Sequence, residues 1–71
     1  MNRFVVCLDN HDYPSALERG KLYLIVDDEQ AAKLNLVRIV DESGEDYLYP
    51  VSRFASIAVP PAIAARLAMA A

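Results

Sequence analysis

The chain has 71 residues, 55% of them hydrophobic, and a formal net charge of −3. One domain is the most this length allows, and the apolar fraction, above the roughly 45–50% of ordinary globular chains, argues against intrinsic disorder. The acidic balance and scattered basic residues argue against nucleic-acid binding, which needs a basic patch to displace counterions.

Cysteine content and hydropathy favour a cytoplasmic protein. Cys7 is the single cysteine, so no disulfide scaffold exists, and a lone thiol suits a reducing compartment. We expect no signal peptide, because the start of the chain lacks its apolar core and cleavage site. The most apolar stretch, 55–71, contains two prolines and Arg66, whereas a membrane span needs about 20 continuous apolar residues.

The first predicted element is a strand over 3–8, where β-branched and aromatic residues dominate. Turn formers at 9–12 end it. In the irregular loop that follows, Leu17 is expected to enter the core and Gly20 to adopt a positive φ.

A second strand over 21–26 precedes a short helical segment within 27–35. Asp27 is the expected N-cap, with Gln30 as its reciprocal partner. Asn35 is expected to stop the helix in the left-handed conformation.

Three further strands and a helix complete the chain, at 36–41, 46–50, 54–59 and 61–70. Gly44 supplies the turn of a hairpin between the third and fourth strands. A 3₁₀ turn is expected between the fourth and fifth strands, and a proline pair opens the helix.

Five short strands with short connections predict an antiparallel meander that closes to hide its edges. We therefore expect one domain over 1–71, with a barrel over 3–59 and a helix over 61–70. The side chains predicted to meet inside the closed sheet are Phe4, Val6, Leu22, Leu24, Ile39, Leu48 and Ile57.

The stretch 46–54 resembles the end of an SH3 domain, in which a strand ends in proline, a 3₁₀ turn follows and the last strand starts with an apolar residue. Pro50 and Phe54 match that spacing. SH3 domains bind proline-rich peptides in a groove lined by tryptophan, proline and tyrosines. This chain has no tryptophan, and Ser52 and Arg53 occupy the usual asparagine and tyrosine positions. Of the groove residues, only Pro50 carries over.

A second resemblance covers most of the chain. Small bacterial and phage proteins of unassigned function are similar in three stretches: Cys7-Leu8-Asp9-Asn10 followed by Tyr13, the segment 15–23, and Asp41-Glu42-Ser43-Gly44-Glu45-Asp46-Tyr47-Leu48-Tyr49-Pro50. The resemblance implies an SH3-like barrel and no activity. Together with the elements predicted above, it gives the expected fold: a mainly β protein built as a five-stranded antiparallel SH3-like barrel, with a short helical turn between strands two and three and a C-terminal helix.

The residue types of catalysis and metal binding are present but poorly arranged. His11 stands in a turn with Asp9 and Asp12 but without a second histidine, so a solvated turn is favoured over a metal site. Cys7 lies in an apolar strand, with His11 four residues away but no obvious group to orient it, which favours a small buried hydrophobe over a nucleophile. The acidic turn at 41–46 is expected to be exposed to water, to serve solubility and to be held by local hydrogen bonds. We predict that the protein is not an enzyme and that it binds no cofactor or metal.

The tyrosines are the candidate partner-binding residues, because tyrosine contributes stiff, amphipathic contact area. If Leu48 points into the barrel, Tyr47 and Tyr49 share the opposite face. The alternative interpretation is that these rings cap the barrel rim or pack against the loop at Tyr13-Pro14. The whole candidate set is Tyr13, Tyr23, Tyr47, Tyr49, Pro50 and Arg53.

The first three strands are apolar on both faces, so their outer faces must also be covered by another part of the protein or by a second subunit. Ile63, Leu67 and Ala70 of the last helix have the spacing to do so, with Arg66 facing out. Packing on the helix's own barrel and a homodimer both remain open. The function predicted is a small non-catalytic protein-interaction module. The alternative is a structural homo-oligomer assembled through this helix and the apolar outer strand face.

Overall fold

The computed structural model describes residues 3–70; residues 1, 2 and 71 of the predicted domain, and the side chain of Ala70, lie outside the described residues. Five strands and two helices follow in chain order: β1 Arg3–Cys7, β2 Leu22–Val26, α1 Glu29–Lys33, β3 Leu36–Val40, β4 Asp46–Pro50, β5 Phe54–Ile57 and α2 Pro61–Ala70, with a 3₁₀ turn at Val51–Arg53 between β4 and β5.

The strands form one antiparallel sheet in the order β4-β3-β2-β1-β5. The expected mainly β architecture with five antiparallel strands and a C-terminal helix is confirmed. Because β4 and β5 occupy the two edges and do not pair within residues 3–70, the sheet is not closed.

Short polar residues set the helix and turn ends. Asp28, rather than the expected Asp27, caps α1 and accepts a hydrogen bond from the Ala31 amide at 3.0 Å. Asn35 has the predicted left-handed conformation at φ +57°, which ends the helical segment. Gly44 has a φ of +83°, the conformation the β3–β4 turn requires.

The core lies on one face of the sheet, under the loop between β1 and β2. The prediction that Leu17 enters it is confirmed, with the side chain 1% exposed. The clustered side chains come from every strand and from this loop: Val5, Cys7, Leu17, Tyr23, Val37, Ile39, Tyr49 and Phe54.

The predicted set of core residues is largely wrong. Ile39 belongs to the core cluster, but Leu48 and Ile57 are 42% and 41% exposed. Val6, Leu22 and Leu24 are half-buried on the opposite face, together with buried Phe4. The error has a physical source: β1 and β2 are apolar on both faces, so alternation of polarity does not identify the inner one.

Helix α2 meets the sheet from this opposite face. Ala64 is buried, and Leu67 lines a groove of about 370 Å³ together with Phe4 and Leu24. The helix therefore uses Ala64 and Leu67, whereas Ile63, predicted to pack inward, is 51% exposed. Arg66 faces out as predicted.

Candidate functional site

Two of the candidate tyrosines are structural. Tyr49 is buried, and its hydroxyl donates a hydrogen bond to the carboxylate of Asp41, which is also buried. Burial, and secondarily the hydrogen bond to Asp41, raises the pKa of the Tyr49 hydroxyl. Burial alone would raise the pKa of Asp41, but hydrogen bonds from Ser43 and Tyr49 outweigh it and lower that pKa. The pair therefore joins a protonated phenol to an ionised carboxylate.

Tyr23 makes a similar contact from β2, which β3 separates from β4 in the sheet. Its buried ring places the hydroxyl 2.5 Å from Oε2 of Glu42, to which it donates, while the hydroxyl accepts from the Glu18 amide at 2.7 Å. Lys21 Nζ donates to the same carboxylate at 2.7 Å. These hydrogen bonds, with that of Lys21 the largest, lower the pKa of Glu42. Tyr23 thus ties β2 to the β3–β4 turn.

The β1–β2 loop is held from the other side by Arg53, in the 3₁₀ turn. Its Nη1 donates to the His11 carbonyl at 2.7 Å, and its Nη2 donates to the Asp12 carboxylate at 3.2 Å. The guanidinium lies over the ring of Tyr13, which itself packs edge-on against Tyr49 with 4.9 Å between ring centroids. Arg53 and Tyr13 therefore lock the loop onto the sheet.

The six candidate residues do not form one exposed face. The structure brings Tyr13, Tyr49 and Arg53 together, but in the internal contacts that hold the loop. Tyr23 lies in the core and Pro50 is half-buried at the end of β4. Only Tyr47 presents a large ring to solvent, at 50% exposure, with its hydroxyl donating to Glu45 at 3.0 Å.

Sequence reasoning missed Leu48, the neighbour of Tyr47. Leu48 pairs with Arg38 of β3 and lies on the face opposite the core. A period-2 comparison with Tyr49 could have found it, because a buried Tyr49 requires an outward Leu48. Tyr47 and Leu48 are thus two large side chains, about half exposed, on opposite faces of one edge strand.

The hydrogen-bond register of β4 follows from two bonds that flank it. The Asp41 amide donates to the Glu45 carbonyl at 3.1 Å, before the strand. The Val51 amide donates to the Asn35 carbonyl at 3.0 Å, after it. Both pairs belong to the register in which β3 and β4 align. Hydrogen-bonded pairs alternate with non-hydrogen-bonded pairs in an antiparallel ladder, so every second pair between these two is hydrogen-bonded.

This alternation determines which backbone amide and carbonyl groups of β4 face β3 and which face away from the sheet. Tyr47 and Tyr49 direct their amide and carbonyl groups toward β3. Asp46, Leu48 and Pro50 direct theirs away from the sheet, where β4 has no neighbouring strand within residues 3–70. Pro50, which has no amide hydrogen, therefore disturbs no ladder bond. An exposed strand edge with unpaired backbone groups is a template for another strand.

Cys7 and His11 do not approach a reactive arrangement. Cys7 is buried in β1, and burial raises the pKa of its thiol, which opposes formation of the nucleophilic thiolate. His11 is exposed, with its Nε2 3.4 Å from a carboxylate oxygen of Asp12. No group of three or more histidine, cysteine, aspartate or glutamate side chains in the described part of the chain is placed to hold a metal ion.

The acidic turn is organised by its own hydrogen bonds. Asp41 Oδ1 accepts from the Ser43 amide at 2.9 Å and from its hydroxyl at 2.5 Å. The Ser43 hydroxyl in turn accepts from the Glu45 amide at 3.2 Å. These bonds pin the turn that starts β4, so the unusual composition of this stretch has a structural role.

Comparisons with protein-family models, with curated proteins and with solved structures found no match to this chain. Over residues 3–70, neither helix has the length and apolar character needed to cross a bilayer.

Proposed function

We propose that this chain is a small, non-catalytic protein-interaction module whose binding surface is edge strand β4, with Tyr47 and Leu48 as its contact residues. The observation that carries the proposal is the half-exposed pair of large side chains on a strand with one free edge. Tyrosine is enriched at binding surfaces, and a free edge supplies backbone hydrogen bonds to an incoming strand.

We also propose that the fold is an SH3-like barrel of the type found in small bacterial and phage proteins, in an open form in which edge strands β4 and β5 do not pair within residues 3–70. Three features support this: β1 lies between β2 and β5, β4 ends in Pro50, and a 3₁₀ turn connects β4 to β5. Arg53 fills the space over Tyr13, so a proline-rich peptide is not the proposed ligand. A cytoplasmic location is proposed from the single, unpaired Cys7.

Affinity purification from the native host tests the proposed surface. Wild-type protein, Tyr47→Ala and the control Met69→Ala serve as baits; Met69 is exposed and belongs to α2 rather than to the sheet. A partner retained by the wild type and by Met69→Ala, lost with Tyr47→Ala and rebound as a purified protein supports the proposal. Equal retention of that partner by all three baits would remove β4 as the surface.

A second candidate function is a homo-oligomer assembled through α2 and the outer strand face. Ile57 at the end of β5 and Ile63 on α2 are both large, apolar and about half exposed, which favours it. Sedimentation of Ile63→Ser beside the wild type tests this candidate. Association that Ile63→Ser abolishes would support it, and association that is unchanged would eliminate it.

A further inference from the structure

The two edges of the sheet differ in how open they are. On β5, the outward amide of Phe54 is already used, since it donates to the Val51 carbonyl. Pro60 and Pro61 follow closely and cannot donate to a ladder. On β4, Asp46 and Pro50 blunt the two ends, but Leu48 at the centre carries neither charge nor proline. Ser56 of β5 also directs its backbone groups outward, but Leu48 is the outward-directed residue with a large apolar side chain, so the middle of β4 is the better template for a partner strand.

We infer that β4 of a second copy of this chain adds antiparallel to β4, with a twofold axis at Leu48. This inference rests on the proposed function, because it names the partner of that same strand. Since Leu48 directs both backbone groups outward, its amide donates to the carbonyl of the partner's Leu48, and the reverse bond forms by symmetry. The two five-stranded sheets then become one continuous sheet.

This alignment also uses the ends of β4. Asp46 stands opposite the partner's Pro50, so the Asp46 amide donates to the carbonyl of that proline. Because proline has no amide hydrogen, the Asp46 carbonyl receives no bond in return, which leaves one unused acceptor at each end. The symmetric pair thus gains four backbone hydrogen bonds, two at the centre and one at each end.

Charge does not oppose the self-pairing. The two Asp46 carboxylates stand four residues apart along the paired strands, or about 14 Å, beyond the screening length of about 8 Å at physiological salt. Each is also neutralised in its own chain by Arg38, whose Nη1 lies 3.0 Å from the Asp46 carboxylate. At each end of the strand pair, the acidic Asp46 of one chain faces the uncharged Pro50 of the other, so no like charges stand directly opposite each other.

The exposed side chains complement one another in the same register. Leu48 meets the partner's Leu48 on the outer face, and Tyr47 meets the partner's Tyr49 beside the core face. Leu48, which the monomer leaves half exposed, is then covered by the same residue of the partner. One strand pair buries little surface, which is typical of a weak, concentration-dependent association rather than an obligate dimer.

Sedimentation equilibrium on the full chain tests the inference between about 10 μM and about 1 mM, the range of weak association. The wild-type weight-average mass should rise from one chain toward two. Leu48→Glu and Leu48→Lys each place like charges on the twofold axis and should remain monomeric. An equimolar mixture of these two variants should associate again, because opposite charges then meet. Circular dichroism melting checks that each variant folds, as expected for a half-exposed position.

A wild type that stays monomeric at about 1 mM overturns the inference. Single variants that associate as the wild type does also overturn it, and if Ile63→Ser abolishes that association the interface is α2. A monomeric wild type that still captures a host protein through Tyr47 removes the second copy as partner while leaving the proposed function intact.

Discussion

The guanidinium carbon of Arg53 lies 5.6 Å from the centre of the Tyr13 ring. This contact joins residues forty positions apart and holds the β1–β2 loop against the sheet. Arg53 is only 19% exposed at its side chain, so its hydrogen bonds to the loop are partly shielded from water.

Arg53→Lys should loosen this loop without unfolding the sheet. Lysine keeps the charge but loses the planar fork that bonds the His11 carbonyl and the Asp12 carboxylate together. We expect amide exchange at Tyr13 and Leu17 to accelerate by up to roughly tenfold, the equivalent of about 1.4 kcal/mol. Exchange in β1 serves as the internal control. Unchanged exchange at Tyr13 and Leu17 would show that Arg53 does not hold the loop.

Tyr49→Phe should destabilise the fold by about 1–3 kcal/mol, because the buried Asp41 carboxylate loses a donor. Tyr47→Phe is the matched control: its hydroxyl bonds the exposed Glu45, and we expect a change within about 0.5 kcal/mol. Urea denaturation measures both. Equal effects of the two substitutions would contradict the assignment of Tyr49 to the core and Tyr47 to the surface.

The stability of the fold should depend on the ionisation of Asp41. Burial opposes ionisation, but the hydrogen bonds from Ser43 and Tyr49 prevail, so the folded-state pKa is lower than the unfolded one. A carboxyl of this kind stabilises the fold fully above its unfolded pKa, near 3.9, and the stabilisation disappears as the pH falls through the folded value. The melting temperature should therefore be steady near neutral pH and fall below about pH 4.

The Asp41→Asn variant distinguishes the contribution of Asp41 to the pH dependence of stability from that of the other carboxyl groups. The variant should melt at a lower temperature at pH 7 and lose less on acidification, since the Asp41 contribution is already absent. Glu42, whose pKa is lowered mainly by Lys21, should account for part of the remaining fall. A variant that loses as much stability as the wild type between pH 7 and pH 2 would contradict the role of Asp41.

Leu17→Ala should cost about 2–5 kcal/mol, because it leaves a cavity at a fully buried position in the loop. Leu34→Ala makes the same chemical change at a leucine that is exposed after α1, and should stay within about 0.5 kcal/mol. Thermal melting of both variants gives the comparison. Similar melting temperatures would mean that the loop does not contribute to the core.

The sequence predicts the positions of the helices, strands and turns well, but it predicts poorly which face of each strand is buried. Gly20, Asn35 and Gly44 have the positive φ angles expected of them, and the bounds of β4 agree, because turn chemistry is local. Which face of β1 is buried depends on the loop that folds over it, and the apolar residues on both sides carry no such information. The interpretation of Tyr49 as a surface residue fails for the same reason, since it depended on an inward Leu48.

For the candidate site, too, local sequence patterns predict some features, whereas others depend on long-range structure. Tyr47 is a candidate from the sequence because tyrosine is a typical contact residue, and its side chain is half exposed, whereas Leu48 was predicted to point into the barrel. The free edge of β4 depends on strand order, a long-range property that the local pattern does not specify. The two flanking bonds at Asp41 and Val51 then determine which backbone groups face outward.

Residue-by-residue amide exchange, followed by NMR on the Leu48→Glu variant, examines this edge most directly, since that substitution is designed to keep the chain monomeric. We expect slow exchange at Tyr47 and Tyr49, whose amides face β3, and fast exchange at positions 46 and 48. Strong protection at position 48 in the monomer would mean that the edge of β4 is already occupied, and the account of this strand as the binding surface would then be wrong.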